Sequence, residues 1–107
     1  MPIYLGRFKY SQDAIKAMVS NPQDRSAAAR EVAESLGGKL LGFWFTFGEH
    51  DGAFVLEAPD NATAAALAMA VGATGAVDIE TTVLLGMDEA QEAMRKAAAA
   101  TYRPPTG

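Results

Sequence analysis

The segment KLLGFWFTF, residues 39–47, places large apolar side chains in both phases of a strand's alternation. Successive side chains of a strand point to opposite faces of the sheet. If the alternation is regular, one face carries a row of aromatic and aliphatic residues and the other carries Leu40 and Trp44; the row is Leu41, Phe43, Phe45 and Phe47. A strand that is apolar on both faces indicates a sheet that is covered on both sides. The chain must therefore supply, or recruit, two covering layers.

The remaining periodic segments supply one of these layers. Alternating or apolar runs predict strands at Ile3–Tyr10, Ala53–Ala58 and Val77–Leu85. Helical patterns follow the candidate N-caps, which are Ser11, Asn21, either Asp60 or Asn61, and Asp88. The order is strand, helix, strand, strand, helix, strand, with a further helix at the end. This order is typical of an α+β, ferredoxin-like βαββαβ fold, in which a four-stranded antiparallel sheet carries helices on one face. We expect one domain over residues 1–100, including the extra C-terminal helix, and a tail over residues 101–107.

The second layer has to come from elsewhere. In a monomer of this fold the other sheet face would expose Trp44 and its neighbours or the row of phenylalanines, a patch too large to leave in water. The helix predicted at Ala62–Val71 contains no charged residue, which indicates that it too is covered on more than one side. We therefore expect a homodimer or a higher homo-oligomer.

Composition excludes several classes of function. The chain has no cysteine, which rules out disulfides and thiolate metal sites and fits a reducing cytoplasm. Its net charge of −4 is the opposite of the basic footprint of a nucleic-acid-binding protein. There is no apolar run of about 20 residues to span a membrane, and the N-terminal segment does not have the pattern of a signal peptide. We expect neither nucleic acid nor a membrane as partner.

The segment GEHD between the second and third strands holds the only histidine of the chain, His50. Gly48 and Asp51 have ordinary roles in a tight turn, one through a positive φ and the other through hydrogen bonds to the backbone. His50 and Asp51 are adjacent and point to opposite sides of an extended chain, so they do not form an acid–base pair within one protomer. A single histidine without a second spaced ligand does not predict a metal site.

A small-molecule cavity between sheet and helices is the candidate site. Such pockets are mainly apolar with a few polar anchors, and Tyr4, Tyr10 and Thr46 are the anchors that the strands supply. Trp44 is expected in a subunit interface or in the cavity floor. His50 and Asp51 are expected at a rim that two subunits share. These six residues are the candidate ligand-binding set; no residue is assigned a catalytic role, and no cofactor is predicted.

Several stretches resemble the GYD domain, a family of small bacterial proteins. They are MPIYLGRFKYSQDAIK, NPQDRSAAAREVAESLGGKL, the run from residue 43 to residue 77 and the threonine-containing last strand, and GEHDGAFVLEAPD is the most distinctive part. Gly48 and Asp51 match the family motif, while His50 stands where tyrosine is usual. The resemblance implies a relative of the dimeric α/β-barrel proteins, in which two ferredoxin-like sheets pack face to face. Some of these relatives are small monooxygenases, isomerases or haem-degrading enzymes, and others only bind ligands.

Three hypotheses about function follow. The first is a homo-oligomer that binds a small apolar or aromatic molecule. The second is a cofactor-free enzyme of the small monooxygenase or isomerase type, which requires a polar group inside the cavity. The third is a structural or regulatory assembly module, which requires no cavity at all. Whether the protein is an enzyme is left open by the sequence.

Overall fold

The computed structural model describes residues 1–106 and confirms the predicted architecture. Its elements are β1 (Ile3–Tyr10), α1 (Gln12–Ser20), α2 (Ser26–Ser35), β2 (Lys39–Phe45), β3 (Gly52–Glu57), α3 (Asn61–Gly72), β4 (Val77–Leu84) and α4 (Met87–Ala99). The four strands form one sheet in the order β2-β3-β1-β4, and every neighbouring pair is antiparallel. The chain is thus an α+β, ferredoxin-like βαββαβ domain with an extra C-terminal helix.

The core lies between the sheet and the helices α2 and α3. The even-numbered positions of β1 and β3 face the helices, and Tyr4 and Phe8 are only 1% and 2% exposed. The ring of Phe8 packs over Gly52 and the ring of Phe54 packs over Gly6, each across a directly paired position of β1 and β3. Each large ring thereby covers a backbone position that has no side chain, so the centre of the sheet is closed without any charged residue in the core.

Strand β2 departs from the regular alternation. Its register against β3 shifts between Leu40 and Gly42, a β-bulge that inserts one extra residue, Leu41. The prediction that Leu41 shares a face with Phe43 and Phe45 was therefore wrong. Leu40, Phe43 and Phe45 lie on the helix-covered face, and Leu41 lies on the opposite face. The strand also ends at Phe45 rather than at residue 47, because the chain turns there toward β3.

Two helix starts differ from the prediction. Asn21 makes the last bond of α1, from its backbone N–H to the Ala17 carbonyl, and the helix ends there because the Asn21 backbone leaves the helical region (φ −140°, ψ 83°). The next helix begins only at Ser26. The last helix begins at Met87 behind Gly86, so Asp88 lies in its first turn instead of capping it. Asn21 thus lies four residues before the N-cap position of α2, which Arg25 occupies, and Asp88 lies two residues after that of α4.

The C-terminal helix α4 stands apart from this core. None of its side chains is buried, and the radius of gyration of the chain, 17.5 Å, exceeds the roughly 13 Å of a compact domain of about 100 residues. Over residues 1–106, no helix combines the length and the apolar character needed to cross a membrane.

Candidate functional site

A cavity of about 280 Å³ lies between the helix-covered face of the sheet and the helices α2 and α3. Aromatic rings of the strands form its floor, and aliphatic side chains of the helices and of β4 form its walls. Among them are Phe8, Phe43, Phe54, Val32, Leu67 and Ile79. The volume is close to the lower end of the range for small-molecule sites, roughly 300–1,000 Å³. One ring system or a short aliphatic chain matches this space.

The cavity exists because α2 and α3 place small side chains opposite the large aromatic side chains of the sheet. Ala28 and Ala29 of α2 and Ala70 of α3 line it opposite the phenylalanine rings of the sheet. A methyl group reaches less far than the leucine or isoleucine that normally fills such a layer. Interiors are otherwise close-packed, so space of this size marks either a ligand site or a cost in stability.

Three polar side chains line the cavity: those of Tyr10, Arg25 and Thr74. The Thr74 hydroxyl is committed to the backbone, since it donates to the Val71 carbonyl over 2.7 Å. Arg25 precedes α2, and its Nη1 donates to Oε1 of Gln23 over 3.1 Å. The cavity is thus apolar on all sides except at its mouth, where the phenol of Tyr10 and the exposed guanidinium of Arg25 meet.

The phenol of Tyr10 is perturbed by this position. Burial raises its pKa above the ordinary tyrosine value, and the nearby Arg25 guanidinium acts in the opposite direction. The carboxylate of Asp51 adds a smaller upward influence. With a raised pKa the hydroxyl is protonated at neutral pH, and it can donate a hydrogen bond to a ligand.

Tyr10 also borders a second, more open hollow of about 400 Å³. Here the structure brings together three of the six predicted residues, Tyr10, Thr46 and Asp51, beside apolar residues of α1 and Phe45. Oδ2 of Asp51 accepts the backbone N–H of Tyr10 over 2.9 Å, and the Thr46 hydroxyl donates to the His50 carbonyl over 2.9 Å. The side chains of Asp51 and Thr46 thus tie the β2–β3 loop together and to the end of β1.

The turn interpretation of this loop is confirmed for Gly48 and Asp51. Gly48 has a φ of +124°, in the left-handed region that favours glycine. The backbone N–H of Asp51 donates to the Phe8 carbonyl over 2.8 Å, and its carbonyl accepts from Thr46 over 2.9 Å. Both residues therefore have structural tasks that need no ligand.

The other three predicted residues lie outside both hollows. Tyr4 is buried in the core, where its hydroxyl donates to Oδ1 of Asn61 over 2.6 Å. Trp44 lies on the sheet face opposite the helices and is 55% exposed. His50 has its Nε2 3.4 Å from Oε2 of Glu80, a residue of β4. Within the protomer the six candidates thus form one group of three and three separate positions.

The open sheet face, defined as the face away from the helices, is mostly apolar in one half and charged in the other. Its apolar half carries Ile3, Leu5, Leu41, Trp44, Val55 and Leu84, with the paired Lys39 and Glu57 at one end. In the other half, Arg7 lies opposite Glu80 and Lys9 opposite Asp78 in the β1–β4 register. Opposite charges in paired positions leave this half close to neutral. Of the larger apolar residues here, Ile3, Leu41, Trp44 and Leu84 are exposed.

Sequence reasoning missed Arg25 and the alanine-lined wall. A signal was present: a lone cation directly before an alanine-rich helix, in the segment QDRSAAAR. It could not be separated from an ordinary solvated arginine, because the fold alone brings residue 25 next to Tyr10. Within residues 1–106, no three His, Asp or Glu side chains gather in the way that a metal ion requires.

Comparison with known proteins adds one finding. The sequence profile of the GYD domain matches residues 4–94. Neither the search of curated proteins nor the search of solved structures returned a significant match. The profile spans all four strands and the first three helices, so the match includes the whole cavity.

Proposed function

The chain belongs to the GYD domain family, and we propose that it is a homo-oligomeric protein that binds one small apolar or aromatic molecule between its sheet and its helices. The observation that carries this proposal is the cavity of about 280 Å³, whose lining is apolar apart from its mouth. The proposal includes a cytoplasmic location, which rests on the cysteine-free composition.

Binding is favoured over catalysis by the chemistry of the lining. A small monooxygenase or isomerase without a cofactor needs a group that moves a proton to or from its substrate. The lining contains no His, Asp, Glu or Lys. Its only titrating neutral group is the phenol of Tyr10, whose pKa is raised, so it donates a hydrogen bond but is a poor base at neutral pH. The presence of a cavity likewise argues against a module that serves assembly alone.

The partner that we propose for the open sheet face is a second copy of this chain. Its apolar half is larger than a solitary exposed side chain, and its charged half is already balanced within the protomer by the Arg7–Glu80 and Lys9–Asp78 positions. A balanced face does not repel its own copy, whereas a face of one sign would. The unburied α4 offers further surface to the same assembly.

A binding experiment with a cavity-filling variant tests the proposal. Aromatic probes, both neutral and acidic, such as indole, 2-naphthamide and 2-naphthoate, are titrated while the melting temperature is recorded. A ligand that binds only the folded state raises that temperature in a concentration-dependent way. Ala29→Leu places three extra carbon atoms in the cavity and should abolish the shift. Ala27→Leu is the matched control, because Ala27 is exposed on the same helix and does not line the cavity.

The outcomes are distinct. Binding to the wild type and to Ala27→Leu, but not to Ala29→Leu, supports a ligand site between sheet and helices. If no probe binds the wild type at millimolar concentration, or if Ala29→Leu binds as well as Ala27→Leu, the proposed site is wrong. The oligomeric part is tested separately by the mass in solution, since a protomer has 11.2 kDa.

A further inference from the structure

The cavity contains a single charged side chain, and that side chain is a cation. Of all the residues that line it, only Arg25 carries a charge at neutral pH. Arg25 is exposed at the edge of the cavity, and within residues 1–106 no carboxylate lies within 4 Å of its guanidinium. Its hydrogen bonds are to neutral groups, the amide of Gln23 and the phenol of Tyr10. The charge of Arg25 is therefore not neutralised by an ion pair of the described chain.

The second polar group at the mouth, the hydroxyl of Tyr10, is a hydrogen-bond donor like the guanidinium of Arg25. The Tyr10 hydroxyl is protonated, because burial raises its pKa, and the guanidinium has several N–H donors in a planar fork. Two neighbouring donors, one of them charged, are suited to an acceptor with two oxygens. The carboxylate of Asp51 is close enough to act on the Tyr10 phenol, but it accepts the Tyr10 backbone N–H and does not line the cavity.

We infer that the ligand of the cavity is an amphiphilic carboxylate, with an aromatic or short aliphatic body among the phenylalanine rings and its anionic group at Arg25 and Tyr10. This inference rests on the proposed function and specifies its ligand class. Charge-assisted hydrogen bonds to a carboxylate are about twice as strong as neutral ones, and the arginine fork can make two of them in parallel. The chain as a whole is acidic, with a net charge of −4, so its net charge does not attract an anion. The attraction has to come from Arg25 and Tyr10 themselves.

The test compares acids with amides of the same shape. The pairs 2-naphthoate and 2-naphthamide, 3-phenylpropionate and 3-phenylpropanamide, and hexanoate and hexanamide differ in charge and hardly in volume. Dissociation constants are measured by isothermal titration calorimetry at pH 7.5, where each acid is ionised. We expect each acid to bind roughly tenfold or more tightly than its amide, since that ratio corresponds to one additional charge-assisted contact.

Two arginine variants locate the origin of this preference. Arg25→Gln should reduce the acid-to-amide ratio to near one while amide binding stays close to the wild-type value. Arg30→Gln changes the net charge of the chain by the same amount on the exposed side of α2 and should keep the wild-type ratio. Arg25→Lys retains the charge without the fork and should keep part of the preference, and circular dichroism shows whether each variant is folded.

Each result decides between the two claims. Equal binding of acids and amides to the wild type overturns the carboxylate inference but leaves the proposed binding function standing. A preference that survives in Arg25→Gln, or disappears equally in Arg30→Gln, overturns the assignment to Arg25. If neither acids nor amides bind, both the inference and the proposed function are wrong.

Discussion

Replacing Trp44 by alanine tests the open sheet face most directly. The indole is 55% exposed in the protomer, and its buried part lies over Gly42 of the same strand. If a second copy covers this face, the exposed part of the ring becomes buried in the assembly. Trp44→Ala should therefore weaken the association of subunits much more than the folding of each subunit.

The magnitude follows from the exposed fraction. A tryptophan buries up to about 250 Å², so an exposure of 55% leaves roughly 140 Å² to be covered by a partner. At ~25 cal/mol per Å² this is about 3.5 kcal/mol for each indole. A two-fold symmetric dimer contains two such sites, so the loss is about 7 kcal/mol, equivalent to a ~10⁵-fold weaker dimer. This is an upper value, because buried area converts incompletely into affinity.

Sedimentation velocity over a concentration series measures the association, and thermal melting by circular dichroism measures the fold. Trp44 is the only tryptophan of the chain, so the wild-type emission should also shift to the red when dilution separates the subunits. Met69→Ala is the control, because Met69 is a large exposed residue of α3, away from the open sheet face. It should leave the mass unchanged.

Two results would refute this reasoning. One is a wild-type protein that sediments as a monomer of 11.2 kDa at micromolar concentration. The other is a Trp44→Ala protein that keeps the wild-type mass at every dilution. In either case the open sheet face is not the contact between copies, and its exposed tryptophan needs a different explanation.

Further predictions concern the loop and a helix cap. Gly48→Ala should destabilise the fold by ~1 kcal/mol, because Gly48 has a positive φ. Gly86 has a negative φ, so the control Gly86→Ala should cost less. Chemical denaturation measures the unfolding free energy of both variants. Asp51→Ala should lower the unfolding free energy by about 1–3 kcal/mol, since the Tyr10 backbone N–H loses its acceptor, and an unchanged midpoint would contradict this. The pKa of Asp60 is lowered by the hydrogen bonds that cap α3, so its contribution is present above the unfolded pKa and is lost as pH falls through the folded one. Below pH ~4 the melting temperature of the wild type should therefore fall more steeply with pH than that of Asp60→Asn. If the two melting temperatures fall in parallel, the charge of Asp60 does not stabilise the helix.

The sequence by itself was sufficient for the order of the elements and the fold. Period-two runs and helical stripes separate cleanly at Gly37, Pro59 and Gly75, where glycine or proline interrupts the pattern. Such signals are local, because the conformational preference of each residue and the alternation of its neighbours act within a few positions. The positive φ of Gly48 could be predicted in the same way, from a glycine in the short segment between two strands.

The candidate site depended instead on partners far apart in the chain. The bulge at Leu41 appears only in the pairing with β3, and it decides that Leu40 and not Leu41 lies on the cavity side with Phe43. Tyr4 and Tyr10 are both aromatic positions of β1, yet one meets Asn61 in the core and the other meets Arg25 at the cavity mouth. Equivalent side chains on one strand acquire different roles from the elements that pack against them. Those contacts are non-local, and only the tertiary structure brings them within reach.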